Sequence, residues 1–167
     1  MQAHSHGHAQ MTLVMAQDTL MIELISPAAN LLGFEHRARS KDEKAALSQV
    51  RSQLQQPDTV IKFSDGECVF LHSEVDTSAL SGIKDEPGHG HEHDHNGEHG
   101  QDHDSAHGDI IAEYHYHCEN NAYPTGVALT LFEHYPAIHK IELTWVSPTA
   151  QGGGTLSPNL TKTTFEQ

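Results

Sequence analysis

A stretch between Gly88 and His107 has the clearest potential for chemistry in this chain. It reads GHGHEHDHNGEHGQDHDSAH and interleaves histidines with carboxylates and glycines. Imidazole and carboxylate groups are good ligands for zinc and for copper, nickel or cobalt, and glycine lets the backbone wrap around an ion. The candidate ligands are His89, His91, His93, His95, His99, His103 and His107. The alternatives are a solvated linker and a purification tag. A tag would be an uninterrupted run of histidines at a terminus, which this stretch is not, and a plain linker seldom contains so much histidine. The spacing therefore predicts a metal-collecting segment, with zinc as its principal ion.

Two shorter patterns place histidines at every second residue. His4, His6 and His8 lie near the start of the chain, and His115 and His117 lie in a later β-type segment. In an extended strand this spacing puts the imidazoles on one side, about 6.5–7 Å apart at their Cα atoms. Each set is therefore a candidate metal site. A frayed, solvated terminus and a solvent-exposed sheet face are the respective alternatives.

The remaining single histidines have a simpler interpretation. His36 stands alone after a glycine that is expected to end a helical turn. A lone histidine is more often a hydrogen-bonded structural residue than a ligand. The same structural interpretation applies to His72, His134 and His139.

Cys68 and Cys118 are the only cysteines, and they lie on either side of the histidine-rich stretch. Two buried thiols are one possibility. A pair that brackets an insertion fits a disulfide in an oxidising compartment better. Such a bridge would close a loop of about 50 residues, which is worth on the order of 4 kcal/mol in the loop-entropy model.

The composition excludes several classes of function. The formal net charge of −14 argues against nucleic-acid binding, which needs clustered lysine and arginine. No apolar run approaches the roughly 20 residues that span a bilayer, so we expect no membrane insertion. Motifs typical of zinc proteases, phosphate-binding loops and serine hydrolases are absent from the sequence, and we expect no enzymatic activity. The chain also opens without a secretory leader, so we expect either a cytosolic protein or one from which a leader was removed.

Hydrophobic periodicity outlines the elements that must position these residues. Two alternating runs, 9–16 and 20–25, predict a β-hairpin with a turn at 17–19. A short helical turn is expected over 28–32. The main helix is expected over 40–56, where Ser40 and Glu43 form a capping-box pattern. Further strands are predicted over 59–63, 68–75, 110–118, 127–132 and 138–146, and one edge strand is expected in the tail.

These elements predict one α+β domain covering residues 1–167. It would contain an antiparallel β-sheet, one main helix and a long, flexible, histidine-rich insertion at 84–109. An insertion of this length is unusual, but its composition could not form a core.

Several blocks of the sequence resemble the ZrgA-like family of zinc-regulated periplasmic proteins. The similarity covers essentially the whole chain, and SPAANLLGFEH at 26–36 is its most specific part. The other matching residues are His4-x-His6-Gly7-x-Ala9, Cys68, Tyr114-x-Tyr116-x-Cys118 and Leu131-Phe132-x-x-Tyr135-Pro136. The resemblance implies an exported protein that assists zinc uptake beside the periplasmic solute-binding component of an ABC importer.

The resemblance also changes the interpretation of individual histidines. His36 falls within the most specific block, which implies a ligand role, and His4 and His6 fall on the family's HxHG pattern. His8 occupies a variable position. We therefore expect an ordered site at His4, His6 and His36, completed by Glu35 or His8, that holds zinc collected by the insertion. A periplasmic storage or detoxification buffer and a cytosolic nickel metallochaperone remain as alternatives.

Overall fold

The computed structural model describes residues 5–81 and 108–166. The strands are β1 (His8–Ala16), β2 (Thr19–Pro27), β3 (Ile61–Phe63), β4 (Cys68–Asp76), β5 (Asp109–Cys118), β6 (Gly126–Leu129), β7 (Lys140–Val146), β8 (Gln151–Leu156) and β9 (Lys162–Thr164). The α-helices are α1 (Ala29–Leu32), α2 (Lys41–Leu54), α3 (Ser78–Ser81) and α4 (Leu131–His134). Two short 3₁₀ turns cover Pro57–Thr59 and Glu119–Asn121. The predicted β-rich composition and the single long helix are confirmed within these residues.

The strands form two sheets. Six strands lie in the order β4-β5-β2-β1-β7-β8, and three lie in the order β3-β6-β9. The expectation of a purely antiparallel sheet is wrong, because β1 and β7 pair in parallel. Alternating hydrophobicity marks the two faces of a strand but carries no information about the direction of its neighbour.

The β1–β2 hairpin is confirmed, with a turn one residue shorter than expected. Gln17 and Asp18 connect the strands, and both have positive φ, at 49° and 60°. Two such residues give the turn whose twist matches that of the flanking strands. The Asp18 carbonyl accepts a hydrogen bond from the backbone N–H of Cys118 at 2.7 Å, which ties the hairpin to the end of β5.

Helix α2 begins where its capping box predicts. The Ser40 side chain accepts a hydrogen bond from the Glu43 N–H, and the Glu43 carboxylate accepts one from the Ser40 N–H. Leu47, Val50 and Leu54 form its buried stripe. The Glu43 carboxylate also accepts a hydrogen bond from the Arg39 N–H at 2.8 Å, which links the start of the helix to the segment before Ser40.

The core lies on the inner face of the large sheet. Alternate residues of β1, β2, β5 and β7 are buried there, and the small sheet contributes Phe63, whose ring meets Tyr116 edge-on at 5.1 Å. The Tyr114 hydroxyl donates to the Leu54 carbonyl at 2.6 Å, which joins β5 to the end of α2. Burial raises the pKa of Tyr114 and raises that of Tyr116 to about 12. Both hydroxyls therefore stay protonated at any physiological pH.

Two parts of the second half of the chain differ from expectation. The strand predicted over 127–132 ends at Leu129, and residues 131–134 form α4. Leu131, Phe132 and Tyr135 are buried together at helical rather than alternating spacing. The tail supplies two strands instead of one: β8 extends the large sheet beyond β7, and β9 pairs with β6 in the small sheet.

The predicted disulfide is confirmed. Cys68 and Cys118 are bonded and lie directly opposite each other in the β4–β5 register. The bridge joins the start of β4 to the end of β5, whereas α3 and Gly108 flank the predicted insertion at the other end of these strands. Within the two described ranges, no helix combines the length and apolar character that a membrane crossing requires.

Candidate metal centre

The chain turns at the HxHG pattern instead of running straight. The backbone N–H of His8 donates to the Ser5 carbonyl at 3.1 Å, and Gly7 adopts a φ of 81°. The positive φ favours glycine, and a Cβ atom at residue 7 would also lie 2.6 Å from Cδ2 of His139, so that side chain would have to move. The expectation that His6 and His8 extend from one side of a straight strand is therefore wrong, since β1 begins only at His8.

The buried Asn30 side chain is hydrogen-bonded to the backbone of this turn. Its Oδ1 accepts a hydrogen bond from the Gly7 N–H at 2.7 Å. Its Nδ2 donates to the His8 carbonyl at 2.9 Å and to Oγ of Ser26 at 3.2 Å. A buried amide with these partners positions the backbone on both sides of Gly7. The SPAANLLGFEH block thus supplies the anchor for the HxHG turn.

His6 meets Glu35 across this junction. Its Nε2 lies 3.1 Å from Oε1 of Glu35, with the imidazole 73% exposed and the carboxylate 13% exposed. Glu35 lies two residues after Gly33, whose φ of 83° ends α1. The pair therefore combines a solvent-exposed imidazole of His6 with a largely buried carboxylate of Glu35.

His36 has its own carboxylate partner. Its Nε2 lies 3.3 Å from Oε1 of Glu43, and its ring packs edge-on against Phe34. Hydrogen bonds from the backbone N–H groups of Arg39 and Ser40 hold the pKa of Glu43 below its ordinary value, with a smaller contribution from His36. The capping carboxylate of α2 therefore stays ionised beside this imidazole.

The loop that carries Glu35 and His36 also holds both attachment points of the predicted insertion. The Ala38 N–H donates to the Leu80 carbonyl at 2.9 Å, one residue before the described chain breaks at Ser81. Where the described chain resumes, the Gly108 N–H donates to the Glu35 carbonyl at 3.3 Å, and the Gly108 carbonyl accepts from Ala28 at 2.9 Å. Described residues on both sides of the segment 82–107 are thus hydrogen-bonded at or next to the loop that presents the histidine–glutamate pairs.

Other predicted ligands lie apart from these pairs or outside the described residues. His8 lies at the start of β1, opposite Lys140 and near Glu142, whose pKa is lowered mainly by Lys140 and further by His8. His4 and the seven histidines from His89 to His107 fall outside the described ranges. Across 5–81 and 108–166, no three histidine, cysteine or acidic side chains are placed to hold one ion together. The described part of the candidate site therefore consists of separate histidine–glutamate pairs.

The histidines of β5 lie on the outer face of the large sheet, as their spacing predicts. His115, however, is stacked on His72 of β4, with ring centroids 4.4 Å apart, while His117 lies opposite Val69. A structural role for His72 is what the sequence alone predicts, because neither the pairing of β4 with β5 nor its register can be read from the sequence. Metal binding by His115 and His117 stays a prediction.

Comparison with known proteins bears on the identity of the chain. The sequence model described as ZrgA family zinc uptake protein matches residues 3–165. That range contains the HxHG turn, the Glu35–His36 loop, both cysteines and the histidine-rich stretch. No curated protein matches the sequence.

Proposed function

The chain belongs to the ZrgA family of zinc uptake proteins, and we propose that it captures Zn(II) in the periplasm and supports uptake by an ABC-type importer. In this proposal residues 89–107 collect the ion, and the histidines near Glu35 hold it for transfer. The periplasmic solute-binding component of the importer is the proposed recipient. The protein acts as a carrier and not as an enzyme.

The position of the insertion carries the proposal. Leu80 and Gly108, which flank the segment, are hydrogen-bonded to Ala38 and Glu35 of the same loop. A zinc ion bound at the late end of the segment, where His107 directly precedes Gly108, is therefore tethered close to Glu35 and to the neighbouring His6 and His36. Tethering raises the effective concentration of the ion at the second site, so transfer does not require release to solvent.

The spacing within the pairs supports zinc as the cargo. Tetrahedral zinc with bonds of about 2.0–2.1 Å separates neighbouring ligand atoms by roughly 3.3 Å. The His6–Glu35 and His36–Glu43 separations are 3.1 and 3.3 Å. An ion can therefore be shared within a pair after only small adjustments, while histidines of the insertion, His4 or water complete its coordination. Incomplete ligation by the ordered fold suits a site that must release its ion.

The disulfide supports the proposed compartment. Structural disulfides persist in the periplasm and are rare in the cytosol. Cys68 and Cys118 are bonded, and the structure describes no free cysteine. This pairing favours a periplasmic protein over the cytosolic nickel metallochaperone.

Substitution of the ordered histidines tests the holding role. We expect His6→Gln and His36→Gln each to weaken the affinity of the tightest zinc site by about 10-fold or more, because each removes an imidazole that binds the ion or hydrogen-bonds to a carboxylate ligand. His134→Gln is the matched control, since His134 is exposed at the end of α4. Chelator competition at fixed pH measures the affinities. Unchanged affinity in both variants contradicts the holding role.

Storage is the competing role for the same metal-binding groups. A strain lacking the protein should grow poorly only in zinc-depleted medium if the protein supports uptake. If it buffers excess zinc, the defect should occur only in zinc-rich medium. Growth at both extremes therefore separates the two roles.

A further inference from the structure

A β-bulge in β4 determines which side chain faces His115. Pairing with β5 runs regularly from Cys68–Cys118 to Phe70–Tyr116, and the register then shifts so that His72 is opposite His115. Regular pairing would have placed Leu71 there and turned His72 toward the core. Bulges commonly redirect side chains next to functional sites. Here the bulge brings two imidazoles together on the outer face of the sheet.

The two rings form a compact pair with a carboxylate beside it. Their centroids are 4.4 Å apart and their planes differ by 8°. Nε2 of His115 lies 3.7 Å from Oε2 of Glu113, with these side chains 25% and 37% exposed. His72 is exposed. All three groups are therefore accessible from solvent.

The neighbouring row of the sheet concentrates negative charge. Glu113 is opposite Glu74 of β4 on one side and Glu23 of β2 on the other. Like charges directly opposite each other destabilise a sheet. A cation bound beside this row would offset the repulsion. The row of glutamates and the histidine pair are thus complementary features of one surface.

We propose that His72 and His115 form a second zinc site on the β4–β5 face, with Glu113 as hydrogen-bond partner of His115; Glu113 is not placed as a third ligand in the arrangement described and could become one only after the rings turn. Cβ atoms of directly opposed residues lie about 4.5–5.5 Å apart, near enough for both imidazoles to reach one ion. In the stacked arrangement the ring nitrogens do not converge, so binding requires the rings to turn about their side-chain torsions. Water fills the remaining coordination positions.

This site differs in kind from the pairs at the Glu35–His36 loop. Its two histidines come from the adjacent, disulfide-linked strands β4 and β5. Neither belongs to the HxHG turn or to the Glu35–His36 loop. An open site with two or three protein ligands exchanges its ion faster than a closed four-ligand site. The outer face of the sheet therefore provides a separate point of zinc entry or exit.

Imidazole ¹⁵N NMR of the full-length protein during zinc titration tests the proposal. Ring nitrogens of His72 and His115 should shift together at the same zinc concentration. In His72→Gln, the His115 shift should require at least about 10-fold more zinc, because the second donor no longer acts at high effective concentration. In the matched control His134→Gln, both shifts should remain as in the wild type.

The Glu113→Gln variant provides a second test of the site that leaves both histidines in place. It should raise the zinc concentration for both shifts by about 10-fold, the usual effect of losing a carboxylate partner. A His115 response that is the same in His72→Gln and wild type overturns the proposal. So does the absence of any shift at these two rings when the other histidines respond, since the pair is then only an aromatic contact.

Discussion

Deleting residues 89–107 should reduce the number of zinc ions bound by about two to three and leave the folded domain intact. The segment holds seven histidines and five carboxylates, and a zinc ion takes about four ligands. The described core lies wholly in 5–81 and 108–166. The deletion shortens the connection between Ser81 and Gly108 from 26 to 7 residues, which changes its closure entropy by only about 1 kcal/mol. Calorimetric stoichiometry and thermal unfolding measure the two effects.

A full-length variant separates the loss of ligands from the loss of chain. Replacing the seven histidines by glutamine keeps the length and the carboxylates of the segment. It should lose nearly as many ions as the deletion. Replacing the five carboxylates by amides should retain most of the ions but weaken their binding. An unchanged stoichiometry in the deletion variant would refute the collecting role.

Removing the disulfide should have the largest effect on stability. The Cys68–Cys118 bridge spans 50 residues, and its loss lowers the free energy of unfolding by on the order of 4 kcal/mol in the chain-entropy model. For a domain of this size the unfolding temperature should fall by about 10 °C. Urea denaturation of Cys68→Ala/Cys118→Ala measures the change. Alanine is the replacement because Cys118 is fully buried, and a hydroxyl there would add its own cost.

Zinc binding gives an internal control for the same variant. The bridge lies at the opposite end of β4 and β5 from the attachment points of the insertion. The double alanine variant should therefore keep its zinc stoichiometry while it loses stability. The reduced wild-type protein should match its free energy of unfolding. A loss below about 1 kcal/mol would mean that β4 and β5 are already held together in the unfolded chain.

Local patterns predicted those features that depend on neighbouring residues. The β1–β2 hairpin, the start of α2 at Ser40 and the buried face of β5 follow from alternation and capping chemistry. The Cys68–Cys118 pairing was also predicted, because the chain contains only two cysteines. The hairpin, the helix start and the buried face of β5 depend on residues that are close in the sequence, and two cysteines can form only one disulfide.

Features that depend on distant partners were not predictable. The parallel pairing of β1 with β7 joins segments more than 120 residues apart, and alternation within either strand is the same for both directions. The backbone of the turn at Gly7 is hydrogen-bonded to the Asn30 side chain and to the His139 N–H, and the HxHG pattern specifies neither partner. The bulge at Leu71 changes which face His72 occupies, and no local signal in the sequence of β4 marks it.

Zinc-edge anomalous diffraction from zinc-loaded crystals tests the central claim most directly, because it locates the ion and identifies its ligands. We expect an anomalous peak within coordination distance of His6 or His36, shared with Glu35 or Glu43. Zinc peaks confined to other histidines, with none near His6 or His36 at full occupancy elsewhere, would contradict the proposal that the Glu35–His36 loop holds the captured ion.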